Sequence, residues 1–117
     1  MMSTLHDQAT PNAAGYRDLA PSRLAAFTGH VRLVDVREPM ELQGELGRMA
    51  GAENVPLAMV EQASRSWNKD DELVVICRSG ARSGRAAASL AASGFRRVMN
   101  LEGGMLAWNA AHLPVER

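Results

Sequence analysis

Cysteine, lysine, aromatic residues and long apolar runs are all scarce in this chain of 117 residues. A single cysteine, Cys77, excludes an internal disulfide and any zinc site built on several thiolates. The three histidines, His6, His30 and His112, share no ligand spacing, so no structural metal is expected, and no cofactor is implied. No apolar run approaches the roughly 20 residues that span a bilayer. The first fifteen residues lack the apolar core of a signal peptide, so a cytoplasmic, reduced and soluble protein is expected. Thirteen basic and thirteen acidic residues cancel, so no general field favours nucleic acid or an anionic membrane. Lys69 is the only lysine, and every other basic residue is arginine, the better residue for planar grip on oxyanions.

What remains is ordinary for one globular domain: 46% hydrophobic and 22% charged residues. Residues 1–15 are expected to form a loose tail, broken by Pro11, Asn12 and Gly15, with the domain over 16–117. Pro21 and Ser22 open a short helix ended by Gly29. Residues 31–36, Val-Arg-Leu-Val-Asp-Val, form a strand, and Pro39 starts a short helix over 38–46. Helical spacing runs from Leu57 to Trp67. Leu73-Val74-Val75-Ile76 lacks alternation, which places it in the middle of a parallel sheet covered on both faces. An alanine-rich helix over 83–93 ends at Gly94; a strand over 98–101 and a last helix over 105–111 follow. Strand and helix alternate, giving an α/β domain with a mainly parallel sheet.

Cys77 falls where the central strand gives way to a helix, at the carboxyl end of the sheet where such folds bind ligands. Cys77-Arg78-Ser79-Gly80-Ala81-Arg82 can curl its amides inward as an anion-binding nest, with the helix dipole behind it. Both favour thiolate over thiol, and Arg78 and Arg82 add cations beside it. The competing reading is a buried core cysteine. The polar Arg-Ser-Gly that follows Cys77 argues against it.

The loop Cys77 to Ser83 resembles the active-site loop of single-domain rhodaneses, thiosulfate-type sulfurtransferases. Leu33-Val34-Asp35-Val36-Arg37-Glu38-Pro39 is similar to that family's Asp-x-Arg strand end, and Gly51 to Leu57 to its Gly-Ala-x-Asn-Ile-Pro segment. Residues 101–108 are similar to its closing Gly-Gly-x-x-Ala-Trp motif. Two positions depart: Arg48-Met49 replaces a common histidine segment, and His112 stands where glycine commonly precedes Leu-Pro-Val.

The resemblance implies a three-layer rhodanese-like domain, a mainly parallel five-stranded sheet with helices on both faces. It implies Cys77 as the nucleophile that carries a persulfide. Arg78, Ser79, Gly80, Ala81, Arg82 and Ser83 would bind the substrate, with Asp35 and Arg37 in support. The donor would be a small anionic sulfur compound such as thiosulfate. The acceptor would be cyanide, a thiol or a protein cysteine. The same loop suits a persulfide carrier that hands sulfur between proteins. A phosphatase or arsenate reductase is the remote alternative. Related phosphatases place five residues between cysteine and arginine, whereas four separate Cys77 from Arg82, and Ser83 takes the phosphatase position. Asp35 is assigned first to tying down the strand end. Trp67 and Trp108 are assigned to packing.

Overall fold

The structure, a computed structural model, describes residues 4–117, so the first three residues of the expected tail lie outside it. Six strands run β1 (Thr10–Pro11), β2 (Arg17–Leu19), β3 (Arg32–Asp35), β4 (Glu53–Asn54), β5 (Glu72–Ile76) and β6 (Arg97–Leu101). The helices are α1 (Pro21–Ala26), α2 (Val60–Ala63), α3 (Ala81–Ala92) and α4 (Gly104–Ala110). The strands form one sheet in the order β1-β2-β6-β5-β3-β4. β2, β6, β5, β3 and β4 pair in parallel, and β1 adds to β2 antiparallel.

β5 is the central strand, hydrogen-bonded to β3 and β6, and its alternate side chains feed two cores. Val74 and Ile76 join Leu24, Met105 and Trp108 on the face covered by α1 and α4. Leu73, Val75 and Cys77 join Val60, Ala86, Ala87 and Leu90 on the face covered by α2 and α3. Burial on both sides explains why this run lacks alternation.

Three expectations change. The sheet has six strands instead of five, because residues 4–15 are not a loose tail. Leu5 is fully buried, Ala9 is buried beside it, and Thr10–Pro11 supplies the edge strand. The His6 amide donates to Glu72 Oε1 at 2.7 Å and Arg17 donates to the His6 carbonyl at 2.8 Å, which fastens the segment. The helix expected over 57–67 is broken into a 3-10 turn, α2 and a second 3-10 turn. There the Ser64 and Ser66 hydroxyls donate to the Glu61 and Ala63 carbonyls and compete with the helical ladder. Pro39 opens a 3-10 turn, Pro39–Gln43, instead of an α-helix. The Glu38 amide donates to Glu41 Oε1 at 3.0 Å, and the turn stops at Gly44.

The two departures in the sequence have structural roles. Arg48 pairs with Glu116 as an antiparallel bridge, which ties the carboxyl-terminal segment back to the body. His112 closes α4 with φ of 57°, the left-handed conformation that favours glycine. Its amide bonds the Asn109 carbonyl and the Leu113 amide bonds the Trp108 carbonyl, a Schellman closure. Trp108 is buried and donates to the Pro114 carbonyl at 2.9 Å; Trp67 packs edge-on to Phe95.

Candidate active site

β3 is flanked by β4 on one side and β5 on the other, and β5 passes on to β6. The carboxyl ends of β3 and β5 therefore border the point where the chain reverses its direction across the sheet, where a crevice opens for ligands. Asp35 ends β3, and Cys77 follows β5 directly.

Gly80 adopts φ of 100°, a left-handed turn, just before α3 begins. That turn aims its amide at Cys77 Sγ, 3.1 Å away. The Ser83 hydroxyl lies 3.2 Å from the same sulfur. Burial pushes the Cys77 thiol up. The hydrogen bonds of the Ser83 hydroxyl and of the Ser83, Gly80 and Ser79 amides outweigh it, and the pKa falls below its ordinary value. The nest expected from sequence thus converges on the sulfur.

Cys77 is only 1% exposed, and its neighbours Val75 and Ala86 are core residues. The sulfur is therefore the floor of the loop and not its mouth. Arg78 and Ser79 above it are exposed. Access to the sulfur therefore runs between exposed loop residues.

The loop carbonyls are held from behind. The Met105 amide donates to the Cys77 carbonyl at 2.8 Å and the Leu106 amide to the Arg78 carbonyl at 3.0 Å. This fit requires Gly104: a Cβ there would stand 2.5 Å from the Cys77 carbonyl oxygen and 2.6 Å from Arg78 backbone atoms. With the Arg78 carbonyl pinned to α4, the Ser79 amide of the same peptide unit turns toward the sulfur. The glycine pair was legible as a motif; its reason appears only in this contact.

The remaining expected residues separate into groups. Ser79, Gly80 and Ser83 face the sulfur. Ala81 is exposed and opens α3. Arg78 is exposed, and among the described residues its guanidinium forms no ion pair. Arg82 is not a free cation: it makes a bidentate pair with Glu41 at 2.7 and 2.9 Å. That hydrogen-bonded pairing lowers Glu41 to about 2 and raises Arg82. The partners are 41 positions apart in the chain, and no spacing signalled the pair.

Asp35 and Arg37 are each 1% exposed and bind each other, Arg37 Nη2 donating to Asp35 Oδ2 at 2.8 Å. Arg37 also donates to the Gly47 carbonyl, and Asn54 donates to the carbonyls of Asp35 and Arg37. Every contact is internal, so the pair braces the end of β3.

One further residue escaped the sequence reading. Asn100 lies on the α3 face of β6, the one polar residue in the strand's buried stretch Val98–Leu101. It takes a bond from Ser83 at 2.5 Å and gives one to the Gly80 carbonyl at 3.1 Å. A buried amide interrupting Val-Met-x-Leu was the available signal.

A cysteine whose pKa is lowered by hydrogen bonds from converging amides, with a helix following it at the sheet's carboxyl edge, defines an α/β protein with a candidate site at Cys77. Residues 21–111 match the Rhodanese-like domain family, and the chain belongs to it. It is 39% identical over 94 residues to a sulfurtransferase of Allochromatium vinosum, covering 80% of this chain and 86% of that one. It is 37% identical over 78 residues to a putative sulfur carrier protein of Bacillus subtilis, covering 67% of this chain and 41% of the relative. In solved structures it resembles a Rhodopseudomonas palustris protein described as a possible tyrosine phosphatase. The TM-score is 0.80 at 25% identity, with 99% of both chains covered. Among the described residues no helix is long and apolar enough to cross a membrane.

Proposed function

We propose that the protein is a sulfurtransferase in which Cys77 carries a sulfane sulfur from thiosulfate, or a similar anionic donor, to a thiophilic acceptor. The convergence of the Gly80 amide and the Ser83 hydroxyl on Cys77 Sγ carries this reading. The thiolate attacks the outer sulfur of thiosulfate, the sulfur–sulfur bond of the donor breaks, and sulfite leaves with the bonding electrons. Cys77 then bears a persulfide whose terminal charge meets the loop amides. Cyanide, a thiol or a protein cysteine attacks that outer sulfur and regenerates the thiolate. One difficult transfer is thereby divided into two, with fixed donors stabilising the charge in each. Cys77 reacts as its thiolate, and the loop amides that converge on the sulfur lower the cost of forming it.

Arg78 is the cation assigned to the donor's oxyanions. Arg82 keeps Glu41 and shapes the rim. The same pairing opposes a phosphatase, which needs a free guanidinium to grip phosphoryl oxygens, and the spacing to Cys77 is short by one residue.

A second reading, a carrier that exchanges sulfur with proteins, draws support from the rim. Met40 is 79% exposed beside Glu41, and Leu106, whose amide holds the loop, is 41% exposed. Large apolar side chains left in water near a reactive sulfur suit a protein partner. Met49 and Met105, in contrast, fill the core.

Thiosulfate:cyanide turnover, measured beside a small phosphate ester, tests both. Rapid thiocyanate formation that Cys77→Ser abolishes supports the enzyme. Slow turnover with rapid loading from a protein persulfide supports the carrier. Phosphate release, or activity retained by Cys77→Ser, overturns the mechanism.

A further inference from the structure

The Ser83 hydroxyl has one proton and two neighbours that want it: Cys77 Sγ at 3.2 Å and Asn100 Oδ1 at 2.5 Å. The orientation of Asn100 is fixed by its other contact. Its nitrogen donates to the Gly80 carbonyl, which can only accept, so the oxygen must face Ser83. All three side chains are buried, and no water is needed to complete the set.

Two proton arrangements satisfy these groups to different degrees. With a thiol, Cys77 S–H donates to Ser83 Oγ and Ser83 O–H donates to Asn100 Oδ1, so every group is satisfied. With a thiolate, Ser83 must turn its proton to the sulfur, and Asn100 Oδ1 loses its donor. The shorter contact to Asn100 therefore favours the thiol.

We infer that Asn100 is a positioning residue that acts through Ser83: it withholds the hydroxyl proton from Cys77 and returns it only when the sulfur is charged. Once Cys77 carries a persulfide its inner sulfur is uncharged, and the proton goes back to Asn100. The hydroxyl thus alternates between the two partners as sulfur is taken up and released. The inference rests on Cys77 as the nucleophile of the proposed transfer, but its readout needs no sulfur donor.

The charged groups on the surrounding elements are Arg78 in the loop, Arg82 with Glu41, and the Asp35–Arg37 pair. The Tyr16 hydroxyl and the Asn100 amide both lie against Gly84. The Gly80 carbonyl keeps its bond from the Gly84 amide at 3.0 Å, so α3 stays anchored.

The test is the pH dependence of Cys77 alkylation by iodoacetamide in the full chain. Asn100→Ala frees the hydroxyl for the sulfur. The midpoint should fall by about half a unit, with about threefold faster alkylation below it. In a Ser83→Ala background the same substitution should leave the midpoint unmoved. Asn100→Asp, a stronger acceptor, should raise the midpoint, and by less without Ser83; it carries the test if the alanine variant fails to fold. An unchanged or raised midpoint in Asn100→Ala overturns the inference. So does a shift of either variant that ignores Ser83. Such a failure leaves sulfur transfer by Cys77 standing, since persulfide formation is measured separately.

Discussion

Replacing Gly104 by alanine should damage both the fold and the chemistry, for one geometric reason. The new Cβ would fall 2.5 Å from the Cys77 carbonyl oxygen and 2.6 Å from the Arg78 carbonyl carbon and oxygen. All three are backbone atoms, so no flexible side chain can yield. The left-handed φ of 59° adds about 1–2 kcal/mol for a residue with a Cβ. Forcing the packed backbones apart adds about 1–3 kcal/mol, and lost freedom in the unfolded chain returns about 0.4–1 kcal/mol. The expected loss is about 1–4.5 kcal/mol, seen as a lower urea midpoint at unchanged slope. Separating α4 from the loop also breaks the Met105 and Leu106 bonds that hold the Cys77 and Arg78 carbonyls in place beneath the sulfur's amides. Sulfur transfer should therefore drop on the order of 10²-fold. Gly94→Ala is the control. Gly94 has φ of 100°, but a Cβ there meets only the flexible Lys69 side chain at 3.5 Å. It should lose about 0.5–1 kcal/mol and leave Cys77 reactivity alone. Stability within about 0.5 kcal/mol of wild type for Gly104→Ala, or alkylation of Cys77 at the wild-type rate, would refute the reasoning.

The Glu41–Arg82 pair should show in acid. Glu41 is lowered to about 2 in the folded protein from an ordinary 4.5, so its contribution is complete above the ordinary value and fades as pH falls toward 2. Both side chains are near 30% exposed, so screening limits the gain to about 1 kcal/mol. Glu41→Gln should trail wild type by that amount at pH 6 and match it near pH 2, measured by urea titration; a gap that widens in acid contradicts the assignment. His112→Gly should stabilise the protein by about 0.5–1 kcal/mol, because relief of left-handed strain exceeds the added freedom of the unfolded chain. A lower thermal midpoint would mean that the exposed imidazole makes contacts that outweigh the strain.

Local signals carried the architecture: Leu73–Ile76 as the central strand, Pro21 at the start of α1, Gly94 at the end of α3. They failed where a segment is held by distant partners. Leu5 and Ala9 are isolated apolar residues among breakers, without period, and only β2, β6 and Glu72 give them a place. Cys77, Ser79, Gly80 and Ser83 were visible because the nest is contiguous in the chain. The pairing of Arg82 was not legible, because its partner Glu41 lies forty-one positions away in the chain. Gly104 was legible as a residue type and Asn100 as an anomaly in a strand, but the roles of both depend on backbone and side-chain approaches across the sheet.

The most direct measurement is the mass of the Cys77 peptide after the intact protein has met thiosulfate. One added sulfur atom on that peptide, removed again by cyanide, is the expected result. An unmodified peptide under conditions where iodoacetamide reacts readily with Cys77 would contradict the persulfide account.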